Sequence, residues 1–206
     1  MTATRFQALF VGVGGQGVLT AAKVLGEAAH RAGCGVVIGQ LHGMSQRGGS
    51  VECSVIVGVA TSSFIMGAPD LLLAFEPLEA LRALPRLGNK TVVVMNRGSI
   101  LPPSLLAASQ AREAYPSIDD VASQLLEVVP SVTMVDGPRL TAEVGEPRTL
   151  NVVMLGACAA LQLLPFDAAA LGVAAADGLA ERYRSRNRHA FDLGRACVSQ
   201  KEGAHG

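Results

Sequence analysis

The sequence predicts an α/β fold: a mostly parallel sheet with flanking helices and a helical C-terminal segment. Three observations carry this. Short apolar runs alternate with helical periodicity through the first 135 residues. The first run ends in glycines that open directly into a helix-period segment. After Asp136 the strand pattern stops, and residues 138 to 200 read as helical throughout. The chain has 206 residues, which fits one domain of this kind, with an α/β core over 1–137 and a helical extension over 138–206.

Phe6 to Val11 is a buried strand. Gln16 to Arg31 repeats Val18, Ala22, Leu25 and Ala29 at helical spacing, and Gly33 stops it. Gly35 to Ile38 is a second strand, so the first forty residues read as a βαβ unit of a parallel sheet. Residues 39 to 49 form a polar, glycine-rich loop. Ser50 to Val57 alternates, with Val51, Cys53, Val55 and Val57 on one side, and reads as a half-exposed strand. Leu71 to Phe75 and Thr91 to Met95 are buried strands with a proline-initiated helix, Pro77 to Leu84, between them. Ser117 and Asp120 open a helix that runs to Glu127, and Val132 to Val135 is the last strand. The helical segment breaks at Pro147, at Pro165 and around Arg184 to Asn187. Residues 181 to 206 carry six basic and three acidic side chains and read as a solvated terminal helix with a frayed tail.

Composition narrows the function. Half the residues are hydrophobic, aromatics are 4% and Trp is absent, so the core is built from Val, Leu, Ala and Met. Seventeen basic residues balance seventeen acidic ones, which argues against a nucleic-acid binder. Only 17% of residues are charged, a thinly solvated surface that fits coverage by a partner. Cys34, Cys53, Cys158 and Cys197 form no C-x-x-C pair, a poor arrangement for an iron–sulfur or zinc site, and metal ligands are expected to be absent. No signal peptide or bilayer-length apolar run is visible, so a reduced, cytoplasmic setting without a membrane is expected.

Two loops carry the candidate chemistry. Gly12-Val13-Gly14-Gly15-Gln16-Gly17 matches G-x-G-x-x-G between a strand and a helix, which makes the fold Rossmann-like. Its glycines allow a tight turn, and the free N–H groups of the helix favour an anion. A turn that merely packs helix on strand is an equally good reading. Dinucleotide binding needs an acid after the second strand, and none occurs from Ala28 to Val51. The second loop is His42-Gly43-Met44-Ser45-Gln46-Arg47-Gly48-Gly49. It is expected beside the glycine turn at the carboxyl edge of the sheet, where Arg47 suits a phosphate or carboxylate. Ser45 has no orienting acid and does not read as a nucleophile. Glu76 either reaches the crevice or, preferably, faces the N-terminus of the helix at Pro77. Asn96 and Arg97 line the crevice or form a turn with Gly98, and Asn151 caps a helix or meets a partner.

Phe10 to Gly17 followed by His42 to Val51 resembles the gamma subunit or domain of 2-oxoacid:ferredoxin oxidoreductases. Phe75 to Ala80, Asn151 to Ala157 and Asn187 to Gly194 resemble further segments of that family, so the likeness spans roughly residues 6 to 195. The G-M-S-Q-R-G-G form is most similar to the small subunit of the indolepyruvate enzymes. The resemblance implies an accessory subunit, with no catalytic residue on this chain alone. The complex is expected to convert a 2-oxoacid to acyl-CoA and CO2 while reducing ferredoxin. Thiamine diphosphate, Mg and 4Fe–4S clusters are expected on a large alpha subunit, with CoA as substrate and no cofactor tightly bound by this chain. Gly12, Gly14, Gly15, Gln16, Gly17 and residues His42 to Gly49 are the expected ligand-binding set. The alternative is a free-standing nucleotide- or CoA-binding protein.

Overall fold

The structure is a computed structural model and describes residues 5–42, 49–58, 65–100, 115–177 and 181–202. Its centre is a six-stranded sheet in the order β2-β3-β1-β4-β5-β6. The strands are β1 (Phe6–Val13), β2 (Val36–His42), β3 (Ser50–Val57), β4 (Leu71–Ala74), β5 (Val92–Asn96) and β6 (Ser131–Val135). β1, β4, β5 and β6 pair in parallel, and β3 runs antiparallel to both of its neighbours. Five of the six strands therefore point the same way, as the alternating pattern predicts.

One expectation about connectivity is corrected. β1, α1 (Val18–Arg31) and β2 do form strand, helix and strand, but β2 is not the neighbour of β1. β3 turns back from β2 and inserts between them, pairing Val13 with Ser50 on one side and Val51 with His42 on the other. This explains why β3 is not half-exposed. From Cys53 to Val57 it is buried throughout, because an inner strand has neighbours at both edges and packing on both faces. β2 also runs further than expected, to His42, so that residue ends a strand instead of opening a loop.

Alternation along the strands separates two cores. Phe6, Ala8, Phe10, Leu71 and Leu73 face α1 and the C-terminal helices. Leu9, Val11, Leu72, Ala74, Val93 and Met95 face α2 (Pro77–Ala83) and α3 (Ile118–Leu126). Ser117 caps α3, its Oγ accepting from Asp120 N at 3.1 Å, as the sequence indicates. Gly33, at φ 79°, ends α1 with a bond from Cys34 N to Ala29 O.

The C-terminal segment folds as α4 (Gly137–Val144), α5 (Leu150–Ala160), α6 (Ala168–Asp177) and α7 (Arg184–Glu202). α5 is apolar around its circumference because it lies between the sheet and α7; Asn151 through Ala159 are all buried. α7 is not a solvated tail. Ala190, Phe191 and Val198 are buried in the main core, and α7 packs extensively on α5. Among the described side chains, Arg184, Arg186, Arg188, Asp192 and Arg195 lie on its exposed face. The break expected around Arg184 lies earlier, since α7 already begins at that residue.

Glycines set the α5–α7 crossing. A Cβ at Gly156 would stand 2.1 Å from Phe191 O, and one at Gly194 would stand 2.0 Å from Val153 O. The backbones touch where only hydrogen fits. Gly194→Ala is therefore expected to lower stability by about 2–4 kcal/mol, through overpacking that neither backbone can relieve. Urea denaturation followed by circular dichroism reads this as a lower midpoint.

Candidate active-site rim at the glycine turn

The glycine turn joins β1 to α1 at the carboxyl ends of the parallel strands. Gly12 is needed for close approach: a Cβ there would meet Val18 Cγ2 at 2.7 Å and Phe75 Cβ at 2.8 Å. Gly17 sits at the N-cap of α1 with φ 81°, a left-handed conformation that glycine adopts without strain. No side chain caps this helix and no acid lies in its first turn, so its leading N–H groups are left for an anion or solvent. Gly15, at φ 104°, is exposed with open space beside it.

Gln16 folds back beneath the turn. Val13 N donates to its Oε1 at 2.7 Å, and its Nε2 donates to Phe75 O at 2.9 Å. Phe75 O also accepts from Asn96 Nδ2 at 2.9 Å. One carbonyl thus ties the ends of β1, β4 and β5 together. Asn96 Oδ1 in turn accepts from Gly98 N at 3.1 Å and from Gly137 N at 3.2 Å. Asn96 does both things foreseen for it: it lines the crevice and holds a turn.

Glu76 takes the capping role, not the crevice role. It is the N-cap of α2, and its carboxylate accepts from Glu79 N at 3.1 Å. It also accepts from the Tyr115 hydroxyl and from Ile100 N. Burial pushes its carboxyl above the usual 4.5, outweighing these bonds. Beside it, Glu79 accepts from Ser50 Oγ at 2.6 Å, which ties β3 to α2.

Two clefts open at this rim. The larger, about 470 Å³, lies between the glycine turn and Asn96, Gly98, Gly137 and Pro147. The smaller, about 290 Å³, lies between Gly17 and Asn151, Tyr183 and Asn187. Gly15 and Arg148 border both. Arg148 is bound by Glu146 through Nε and Nη2, each at 3.0 Å, and these bonds hold the Glu146 carboxyl at about 2.

Of the expected ligand set, Gly14, Gly15, Gln16 and Gly17 border these clefts, and Gly12 packs beneath them. The second loop returns to the same rim, since Gly14 N donates to Gly49 O at 2.9 Å. Gly43, Met44, Ser45, Gln46, Arg47 and Gly48 lie outside the described residues. Asn151 does not cap α5; it is buried against Gly17. The sequence reading missed Arg148 and Asn187 as rim residues. Asn187 lies in a motif that carried the resemblance, but its charged surroundings pointed to solvent. Cys53 and Cys158 are buried thiols, pushed up to about 11 and about 12 by desolvation, and are unreactive. Among the described residues no three His, Cys, Asp or Glu side chains gather to hold a metal, and the four dispersed cysteines do not fit an iron–sulfur cluster.

Two measurements follow from this geometry. Gln16→Leu removes the acceptor of Val13 N and leaves Phe75 O with the Asn96 bond alone, so stability should fall by about 1–3 kcal/mol, read from denaturant unfolding. For Glu76, the folded chain retains a proton that the unfolded chain releases. Its contribution is complete below about 4.5 and is lost as pH rises through the raised value. Melting temperature measured against pH should show this decline in the native chain, and Glu76→Gln should flatten it.

The family model for pyruvate ferredoxin/flavodoxin oxidoreductase matches residues 7–197. The indolepyruvate oxidoreductase subunit IorB of Methanothermobacter thermautotrophicus is 40% identical over 190 residues, covering 92% of this chain and 95% of that one. The gamma subunit of a keto/oxoacid ferredoxin oxidoreductase from Geobacter sulfurreducens has the same fold, with a TM-score of 0.69 at 23% identity over 95% of this chain and 99% of that one. The 2-oxoglutarate:ferredoxin oxidoreductase of Magnetococcus marinus, solved with 2-oxoglutarate, coenzyme A and succinyl-CoA bound, matches with a TM-score of 0.72 at 18% identity, over 95% of this chain and 31% of that one. With a family match across nearly its whole length and a relative at this identity, the chain belongs to the pyruvate ferredoxin/flavodoxin oxidoreductase family.

Proposed function

We propose that this chain is the small accessory subunit of an indolepyruvate-type 2-oxoacid:ferredoxin oxidoreductase. The observation that carries the reading is the 40% identity, over 92% of the chain, to a protein named as an indolepyruvate oxidoreductase subunit. The overall reaction consumes an aryl 2-oxoacid, CoA and oxidised ferredoxin, and yields acyl-CoA, CO2 and reduced ferredoxin. Thiamine diphosphate with Mg and the iron–sulfur clusters belong, in this proposal, to a large partner subunit. The four dispersed cysteines of this chain, two of them buried, support that division.

This chain's part is binding and orientation. The uncapped N-terminus of α1, the exposed Gly15 and the Arg148 guanidinium present donors and positive charge at one rim, which suits the phosphates of CoA. Gln16 and Asn96 hold that rim rigid through Phe75 O. The loop from His42 to Gly49 belongs to the same proposed ligand set, with Arg47 as a second anion contact. Free cysteines fit a reducing cytoplasm, and no described helix is long and apolar enough to cross a membrane.

The test is reconstitution with the companion chain that carries the thiamine and cluster signatures. Indolepyruvate- and CoA-dependent reduction of ferredoxin should appear only when both chains are present, and the two should co-purify. Turnover by the companion that is undiminished when this chain is left out would contradict the proposal.

A further inference from the structure

β2 is an open edge of the sheet. Among the described strands it pairs with β3 alone. Gly58 N donates to Gly35 O at 2.8 Å, which extends the Val36–Val57 register by one step. Antiparallel ladders alternate bonded and non-bonded pairs. Val37 therefore turns its backbone toward β3, whereas Val36 and Ile38 turn theirs outward. The ladder keeps one register from Val36 to His42, without a bulge. No Lys, Arg, Asp, Glu or Pro occurs from Ala32 to Gly43. Sheet edges are normally blunted by charge, proline, a bulge or a covering element. The opposite edge is treated in that way: β6 is shorter, follows Pro130 and has α7 packed against it.

The side chains along this edge are apolar and incompletely covered. Ile38 is 38% exposed, and Val36 and Val37 are half-buried. α1 stands over them: a Cβ at Gly26 would meet Ile38 Cδ1 at 2.7 Å and Val36 Cγ1 at 3.4 Å. Ala22 and Ala29 lie on the core side of Gly26 and are buried. Lys23, Glu27 and His30 lie on its outer side and are exposed, so they overhang the edge. Glu27 pairs with Arg31 at 2.7 Å. Lys23 has no ion pair among the described residues.

We propose that β2 pairs with β2 of a second copy of this chain, across a two-fold axis at Val37. The edge is its own complement. In antiparallel pairing, Val36 of each copy exchanges both backbone bonds with Ile38 of the other, and the two Val37 side chains meet as a non-bonded pair. The same axis runs close to Gly26 and sets the two α1 helices antiparallel. Lys23 precedes Gly26 and Glu27 follows it, so Lys23 of each copy comes level with Glu27 of the other. A strand of another protein satisfies the backbone alone; a second copy also carries the matching carboxylate. The contact closes on itself and leaves no β2 edge for a third chain. It uses none of the residues that line the two clefts, so it is independent of the function proposed above.

The test is light scattering on the full chain after size exclusion, over a dilution series starting at about 0.1 mM. The mass should approach that of two chains at the top of the series and fall toward that of one chain on dilution. Ile38→Lys should weaken self-association at least tenfold with an unchanged circular dichroism spectrum. Leu126→Lys, at an exposed apolar position on α3, should leave it unaltered. Lys23→Glu should weaken it about threefold, and adding Glu27→Lys should restore it, a reversal that loss of folding does not produce. If Ile38→Lys does not fold, hydrogen exchange on the native chain replaces it: the amides of Val36 and Ile38 should exchange more slowly in concentrated than in dilute protein. A chain that stays monomeric through the series overturns the proposal, as does a dimer indifferent to both Ile38→Lys and Lys23→Glu. Protection of β2 that appears only when a companion chain is added also overturns it, and gives the edge to that chain.

Discussion

The carbonyl of Phe75 is the atom on which this rim depends. It accepts from Gln16 on one side and from Asn96 on the other. Three parallel strands that end side by side have no reason of their own to keep their loops in register, since ladder hydrogen bonds stop where the strands do. A shared acceptor, buried and doubly bonded, supplies that reason. Gln16 also receives Val13 N, so the glycine turn is held from below while its outer surface stays bare. Asn96 extends the same network to Gly137 and the start of α4. The clefts exist because these amides fix the floor beneath them.

That arrangement fits a subunit which supplies shape and charge to chemistry performed elsewhere. Two of its thiols, Cys53 and Cys158, are buried and held protonated by desolvation, and its central carboxylates serve as caps and ties. The rim is left with the backbone donors of the glycine turn and with Arg148, paired to Glu146. Such groups bind and orient an anionic ligand without reacting with it. The division of labour proposed for the complex follows from this inventory as much as from kinship.

Much of the fold was legible because its signals are local. The run from Phe6 into glycines and then into helical spacing marks strand, turn and helix without tertiary information, and Ser117 and Gly33 mark helix ends in the same way. The position of β3 was not legible, because periodicity defines a strand but not its neighbours. The role of α7 was hidden for a related reason. Gly156 and Gly194 lie 38 residues apart, and nothing local announces that each receives the backbone of the other's helix, at Phe191 and at Val153. With that contact unseen, the arginines of α7 made it look like a tail. At the rim, the glycine turn was readable from its motif, whereas the inward bonds of Gln16, which also borders the larger cleft, were not. Arg148 and Asn187 reach the site only through the packing of α5 and α7, which sequence spacing does not encode.

The central claim is that one edge of this sheet receives CoA on behalf of an assembled enzyme. Hydrogen–deuterium exchange on the two-chain complex, with and without CoA, tests it most directly. The account predicts slower exchange on CoA addition in the segments 13–20 and 147–151, with the opposite edges of the strands unchanged. Protection confined to the companion chain, or to the amino ends of these strands, would contradict it.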